Sequence, residues 1–323
     1  MSFLSTFARL LREYMAFVTF SAMILGLLVG EPAAKLAWAV PWFFSVLTFN
    51  SGLGLRIQDL RCLQSKPWII PFHLLWLHAI TPLIALGVSS LFPFPPEAIM
   101  GFVILAIIPV SASCVVWIAM YRGNIALGMA LVFIDTLFAP FLIPYALDFL
   151  FGSTVHMDPL RMLRGLFWML LFPTLLALFL NRLTDGKLQR VAGKPVATLA
   201  QCSIFMILFI NGGIVAPLFR NLDILFVAIF AMAFAFLCLW FVLNYLLGRL
   251  LLGNDADTIS FMLNSTIRST TTGMVIAMTY FSPLTTLTVV SMMLVQQPMA
   301  SFIGKRLSRK FANREHAEDS CRT

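Results

Sequence analysis

Arg268 is a guanidinium set in the segment 263–283, which is otherwise uncharged and apolar enough to lie in a membrane. A planar, permanently charged fork of this kind grips a carboxylate through two parallel N–H···O bonds. Thr266, Thr270 and Thr271 stand around it, hydroxyls suited to holding an anion or, with backbone carbonyls, a cation. A second stretch, 109–124, has the same character: after Pro109, the small polar residues Ser111, Ser113 and Cys114 interrupt an apolar run. Asp135 and His78 each lie alone in further apolar runs. Either is a candidate proton site, and Asp135 is also a candidate partner for Arg268. Gln296 and Gln297 sit late in the chain, where they line a cavity or bond helix to helix. The chemistry these residues fit is recognition of a small anion, with charge or proton compensation.

Such groups need elements that hold them at membrane depth. The chain is 60% hydrophobic and 11% charged, with a mean hydropathy of +0.92, which excludes an ordinary soluble domain. It reads as an all-α polytopic membrane protein embedded in the lipid bilayer. The net charge of +8 does not point to nucleic acid, because the basic residues fall in short loops between apolar spans. Five scattered cysteines form no disulfide framework and no zinc spacing, so no cofactor or metal is expected. No His-Glu or Asp-Asp spacing supports a membrane-embedded enzyme.

Ten spans of about 20 residues can be placed: 15–30, 34–55, 68–91, 98–120, 125–151, 163–180, 198–218, 222–247, 258–278 and 284–303. The fourth and ninth carry the interruptions. Residues 4–14 read as an interfacial lead-in. Alternate loops hold Arg56, Arg61 and Lys66; Arg122; Arg182, Lys187, Arg190 and Lys194; Arg249; and Lys305 onward. The others hold only Lys35, Arg161, Arg164 and Arg220. This asymmetry predicts both termini on the cytoplasmic side of a bacterial plasma membrane. Ten spans divide into two inverted five-helix repeats, 1–151 and 160–303, followed by a basic, partly disordered tail at 304–323. Broken helices in matching positions of two halves mark a transporter's binding site.

The order of short motifs then becomes informative. Asn50 to Leu60 resembles the glycine-rich end of the second span in the bile acid:sodium symporter family. Ala79-Ile80-Thr81-Pro82 is similar to that family's third span. Tyr121 to Leu127, followed by Asp135 to Pro140, resembles its crossover exit and fifth span, and Thr272 to Ala277 its second crossover. The resemblance implies a core domain and a panel domain, with two discontinuous helices crossing in the core. It also implies secondary active transport of an organic anion: bile-acid-like, pantoate-like or a keto acid.

The usual sodium ligands are mostly missing. By that resemblance the family's acidic ligand falls on Thr266, and its glutamine and asparagine on Thr270 and Thr271. The Ser-Asn pair of the first crossover falls on Cys114 and Val115, and the third-span glutamine on Leu77. Arg268 stands where the family has a small residue, so its charge is expected to replace sodium's, with proton coupling through Asp135 or His78. His78 reads more plainly as a core histidine bonded to a carbonyl, His73 as interfacial, and Asp255 and Asp257 as solvated loop residues. Cys114 admits a second reading, an arsenite or other metalloid exporter. A third is a membrane sensor that kept the fold without transport.

Overall fold

The computed structural model describes residues 15–54, 66–152, 158–219 and 224–320. The lead-in at 4–14, the second-span motif from Leu55 to Leu60 and the linker residues 153–157 lie outside them.

Among the described residues the chain is all helical, with one isolated β-bridge. Helix α1 is Met15–Val29 and α2 is Glu31–Gly54, turned into each other at Gly30, whose φ of 68° favours glycine. Then come α3 (Ile69–Ser89), α4 (Pro96–Ile107) and α5 (Cys114–Met120). Helices α6 (Ile125–Phe151), α7 (Pro159–Leu183), α8 (Lys187–Phe219) and α9 (Ile224–Leu252) follow. The chain ends with α10 (Asp255–Thr266), α11 (Thr270–Tyr280) and α12 (Pro283–Ser320).

Among the described residues six helices, α2, α3 and α6 to α9, are long and apolar enough to cross a membrane. The two interrupted elements, α4–α5 and α10–α11, are divided into pieces too short to qualify singly. Caps fix several starts. Asn124 accepts from Leu127 N at 3.1 Å, Asp158 from Leu160 N at 3.0 Å, and Asn254 from Asp257 N at 2.7 Å.

Helices α1, α2, α7 and α8 pack mainly on one another, and α3 to α6 pack with α9 to α12. In the first group backbones nearly touch. A Cβ at Gly26 would collide with the Phe209 carbonyl, and one at Gly212 with the Met23 carbonyl. Helices α3 and α7 each contain a π turn, Trp76–Ile80 and Phe167–Leu171, just before Pro82 and Pro173. The wider turn accommodates a proline ring that would clash with the carbonyl four residues back. In α3 the Thr81 hydroxyl serves the Leu77 carbonyl at 2.9 Å.

Two differences from the expected layout stand out. Helix α8 begins at Lys187, so the basic connection read as loop is its first turns. Helix α12 runs on to Ser320, where a partly disordered tail was expected. Residues 305–320 hold no glycine or proline and are rich in helix formers.

Candidate transport site

The two interruptions meet. Backbone at 108–113 and 267–269 runs antiparallel, with Val110 bridged to Arg268. Ser111 N donates to Ile267 O at 2.9 Å, and Ser269 N to Pro109 O at 2.8 Å. This answers how broken backbone survives inside an apolar helix bundle: each break supplies the other's partners. Gln296 on α12 completes it, accepting from Arg268 N at 3.1 Å and donating to Arg268 O at 3.0 Å.

The Arg268 side chain, 4% exposed, turns into the helix group that holds the breaks. Its Nη1 donates to Ile108 O at 3.2 Å and its Nη2 to Thr81 Oγ1 at 3.2 Å. The expected pairing with Asp135 is not what the structure has. Asp135, fully buried on α6, accepts from Val110 N at 2.6 Å through Oδ2, and its Oδ1 lies 2.7 Å from His78 Nε2. His78 therefore bonds a carboxylate rather than a carbonyl. A backbone N–H already aimed at the carboxylate, and a histidine one π turn from Pro82, occupy Asp135 before Arg268 can reach it. His73, read as interfacial, is fully buried, and neither of its ring nitrogens has a partner.

A cavity of about 1090 Å³ lies between the two helix groups, against the crossing. Ser111, Ser113, Arg268, Thr270 and Thr271 line it, as does Gln296. The opposite wall is Phe44, Thr48 and Ser51 of α2, Thr174 of α7 and Gln201 of α8. The volume suits a small organic molecule. Four other expected residues, His78 among them, lie off its wall. Cys114 is buried and accepts a bond from Asn264 Nδ2 at 3.6 Å. Thr266 is buried and accepts from Asn244 Nδ2 at 2.9 Å, and Asp135 sits behind the crossing. Gln297 is on α12, with its side chain outside the described residues.

Asp257, read as solvated, is 8% exposed at the start of α10. It accepts from Asn124 Nδ2 at 2.8 Å, Asn254 Nδ2 at 2.8 Å and Lys66 Nζ at 3.1 Å. Burial raises its pKa, but these three donors outweigh burial and hold it below the usual carboxylate value. Sequence reasoning missed this network and the role of Thr81. The Asn254-x-x-Asp257 spacing is the one local signal, that of an N-cap, and it does not point to Lys66 or Asn124.

The profile of the SBF-like CPA transporter family matches residues 13–313. The chain is 29% identical over 296 residues to the uncharacterized protein YbaS of Bacillus subtilis, spanning 91% of this chain and 97% of YbaS. It is 24% identical to the uncharacterized sodium-dependent transporter YocS of the same organism, over 75% of this chain and 74% of YocS. It is 25% identical to the probable sodium/metabolite cotransporter BASS1, chloroplastic, of rice (Oryza sativa subsp. japonica), over 51% of this chain and 43% of that protein. With the crossed breaks, the apolar helices and a match over most of its length, the chain is an integral membrane transport protein that belongs to the SBF-like CPA transporter family.

Proposed function

We propose that this protein is a secondary active transporter of a small organic anion, a bile-acid-like, pantoate-like or keto acid, working by alternating access without sodium. The observation that carries the reading is the cavity of about 1090 Å³ between two helix groups, with both breaks on its wall and a fixed guanidinium behind them. An anion there meets the hydroxyls of Ser111, Ser113, Thr270 and Thr271, the start of α11 and the field of Arg268.

The packing supports two inverted five-helix repeats, 1–151 and 160–303. The first two helices of each half pack together as a panel, and the remaining helices of each half form a core holding one break apiece. Rocking of core against panel would expose the cavity alternately. The cavity wall runs along α5 to Trp117 and along α2 to Ser51, toward the end carrying Arg122 and Lys66. With both termini cytoplasmic, this is the inward-open arrangement.

Sodium dependence appears in the names of YocS and BASS1. Against it here stand Leu77 and the threonines Thr266, Thr270 and Thr271, where the family has a carboxylate and two amides. Thr266 is engaged by Asn244, whereas Thr270 faces the cavity. Two hydroxyls with different surroundings make a poor cage for a hard cation that takes many oxygens. The guanidinium supplies the positive charge instead.

The test is counterflow in proteoliposomes with labelled taurocholate, pantoate and pyruvate, in sodium and with choline replacing sodium. Exchange of at least one anion that survives in choline is expected. Strict sodium dependence would overturn the sodium-free part, and no flux of any anion would overturn the whole.

A further inference from the structure

We propose that the His78–Asp135 pair is the proton-binding site of this carrier, and that one proton is taken up with each monovalent organic anion, so that transport is an electroneutral proton–anion symport. This rests on the cavity being the anion's site. The two side chains are 3% and 0% exposed, and their contact is 2.7 Å. With the carboxylate accepting, Nε2 carries the shared proton, which leaves Nδ1 of the neutral ring a bare acceptor. Nδ1 is buried and has no partner. It is the open place for a second proton: one N–H bond forms there, and an imidazolium stands beside the carboxylate.

Charge balance gives the coupling its sign. The groups facing the pair are His73 on α3, Arg268 at the crossing and Cys114 at the start of α5. With Arg268 charged, Asp135 ionised and both imidazoles and the thiol neutral, the region has no net charge. A monoanion beside Arg268 adds one negative charge where water is scarce and unbalanced charge is costly. A proton on His78 cancels it. Each ligand then strengthens binding of the other by the same factor.

The path between them is short. Asp135 Oδ2 holds Val110 N at 2.6 Å, and Val110 lines the cavity and is bridged to Arg268. A proton that weakens the carboxylate as an acceptor therefore loosens the wall the anion touches. His73 fits a relay. Residues five apart on an α-helix point about 140° apart, but the π turn between His73 and His78 brings them toward one face. Both His73 nitrogens are buried and unpartnered, nearer the Lys66 end of α3.

The direct measurement is proton uptake from weakly buffered solution when purified protein binds whichever of pyruvate, pantoate or taurocholate passes counterflow. Wild type is expected to take up roughly one proton per anion bound, and His78→Gln to bind anion with little or none. In vesicles loaded with a pH dye, wild-type influx should acidify the lumen and stay unchanged when valinomycin and potassium clamp the voltage. Anion binding without proton uptake in wild type, or influx that follows voltage, overturns the proposal while leaving anion transport standing. Uptake persisting in both His78→Gln and Asp135→Asn overturns the assignment of the site. Binding of no anion sinks this inference together with the functional reading.

Discussion

Gln296 brackets the Arg268 peptide, accepting from its N–H at 3.1 Å and donating to its C=O at 3.0 Å. One side-chain amide thus does for the second break what a neighbouring strand would do, because Arg268 has lost both of its intrahelical partners. Gln296→Leu leaves the buried Arg268 N–H bare, at a cost of about 1–3 kcal/mol, and leaves Arg268 O with Thr270 N alone, at 2.9 Å. A lower melting temperature in detergent and transport reduced tenfold or more are expected. Gln296→Glu keeps the acceptor and loses the donor, and should fall between the two.

Arg268→Lys tests geometry apart from charge. The guanidinium reaches Ile108 O and Thr81 Oγ1 through two different nitrogens, each at 3.2 Å. An ammonium on a flexible stem retains the charge but not the fork. The variant should keep measurable anion exchange at least tenfold below wild type, and Arg268→Ala should lose it altogether. Exchange rates in proteoliposomes at matched protein density decide it. Full transport by Arg268→Ala would remove the guanidinium from the mechanism.

Much of the membrane layout was legible because apolar runs and prolines report locally on helices and breaks. That the two broken helices cross was implied by the family resemblance; that Ser111 N pairs with Ile267 O was not legible in the sequence. What stayed hidden depended on which side chain reaches first. Asp135, Arg268 and His78 are three isolated polar residues in the sequence, and their pairing is decided by α3's π turn and the Val110 N–H, neither of which composition reveals. Gln296 and Gln297 are equivalent in the sequence; that Gln296 both lines the cavity and brackets the Arg268 peptide needs the packing of α12.

Asp257 predicts an acid limb of stability. Its folded pKa is lowered, because Asn124, Asn254 and Lys66 outweigh burial. A lowered carboxylate contributes stability that is present above its unfolded pKa of about 3.9 and is lost as pH falls through the folded value. Asp257→Asn should therefore melt lower than wild type at pH 7. The gap should close progressively below pH 4. A gap independent of pH would mean that the loss is one of packing and not of charge.

Close packing of α1 on α8 depends on glycine. A Cβ at Gly26 would strike the Phe209 carbonyl, which is backbone and does not yield, whereas one at Gly87 meets nothing within 4 Å. Gly26→Ala is expected to cost about 1–3 kcal/mol, and Gly87→Ala to be neutral or slightly stabilising through better helix propensity. Thermal unfolding of both variants in one detergent separates contact from propensity. Equal melting temperatures would mean that α1 and α8 separate at no cost.

At the far end of α11 a second, smaller cavity of about 510 Å³ lies between Trp42 and Ser45 of α2, Trp168 and Phe172 of α7, and Tyr280. There the Tyr280 hydroxyl sits so close over Gly165 that any side chain on Gly165 would displace it. This contact joins α11 to α7 on the side away from Ser51 and Trp117, the side that the proposed inward-open arrangement requires to be closed. Gly165→Leu should wedge that closure and shift the population toward the outward-open state. The check is alkylation of a cysteine placed at Ser45. Its rate should rise severalfold when Gly165→Leu is added, and anion protection from the opposite side should weaken in parallel. If the rate does not change, Tyr280 and Gly165 are a packing contact with no part in gating.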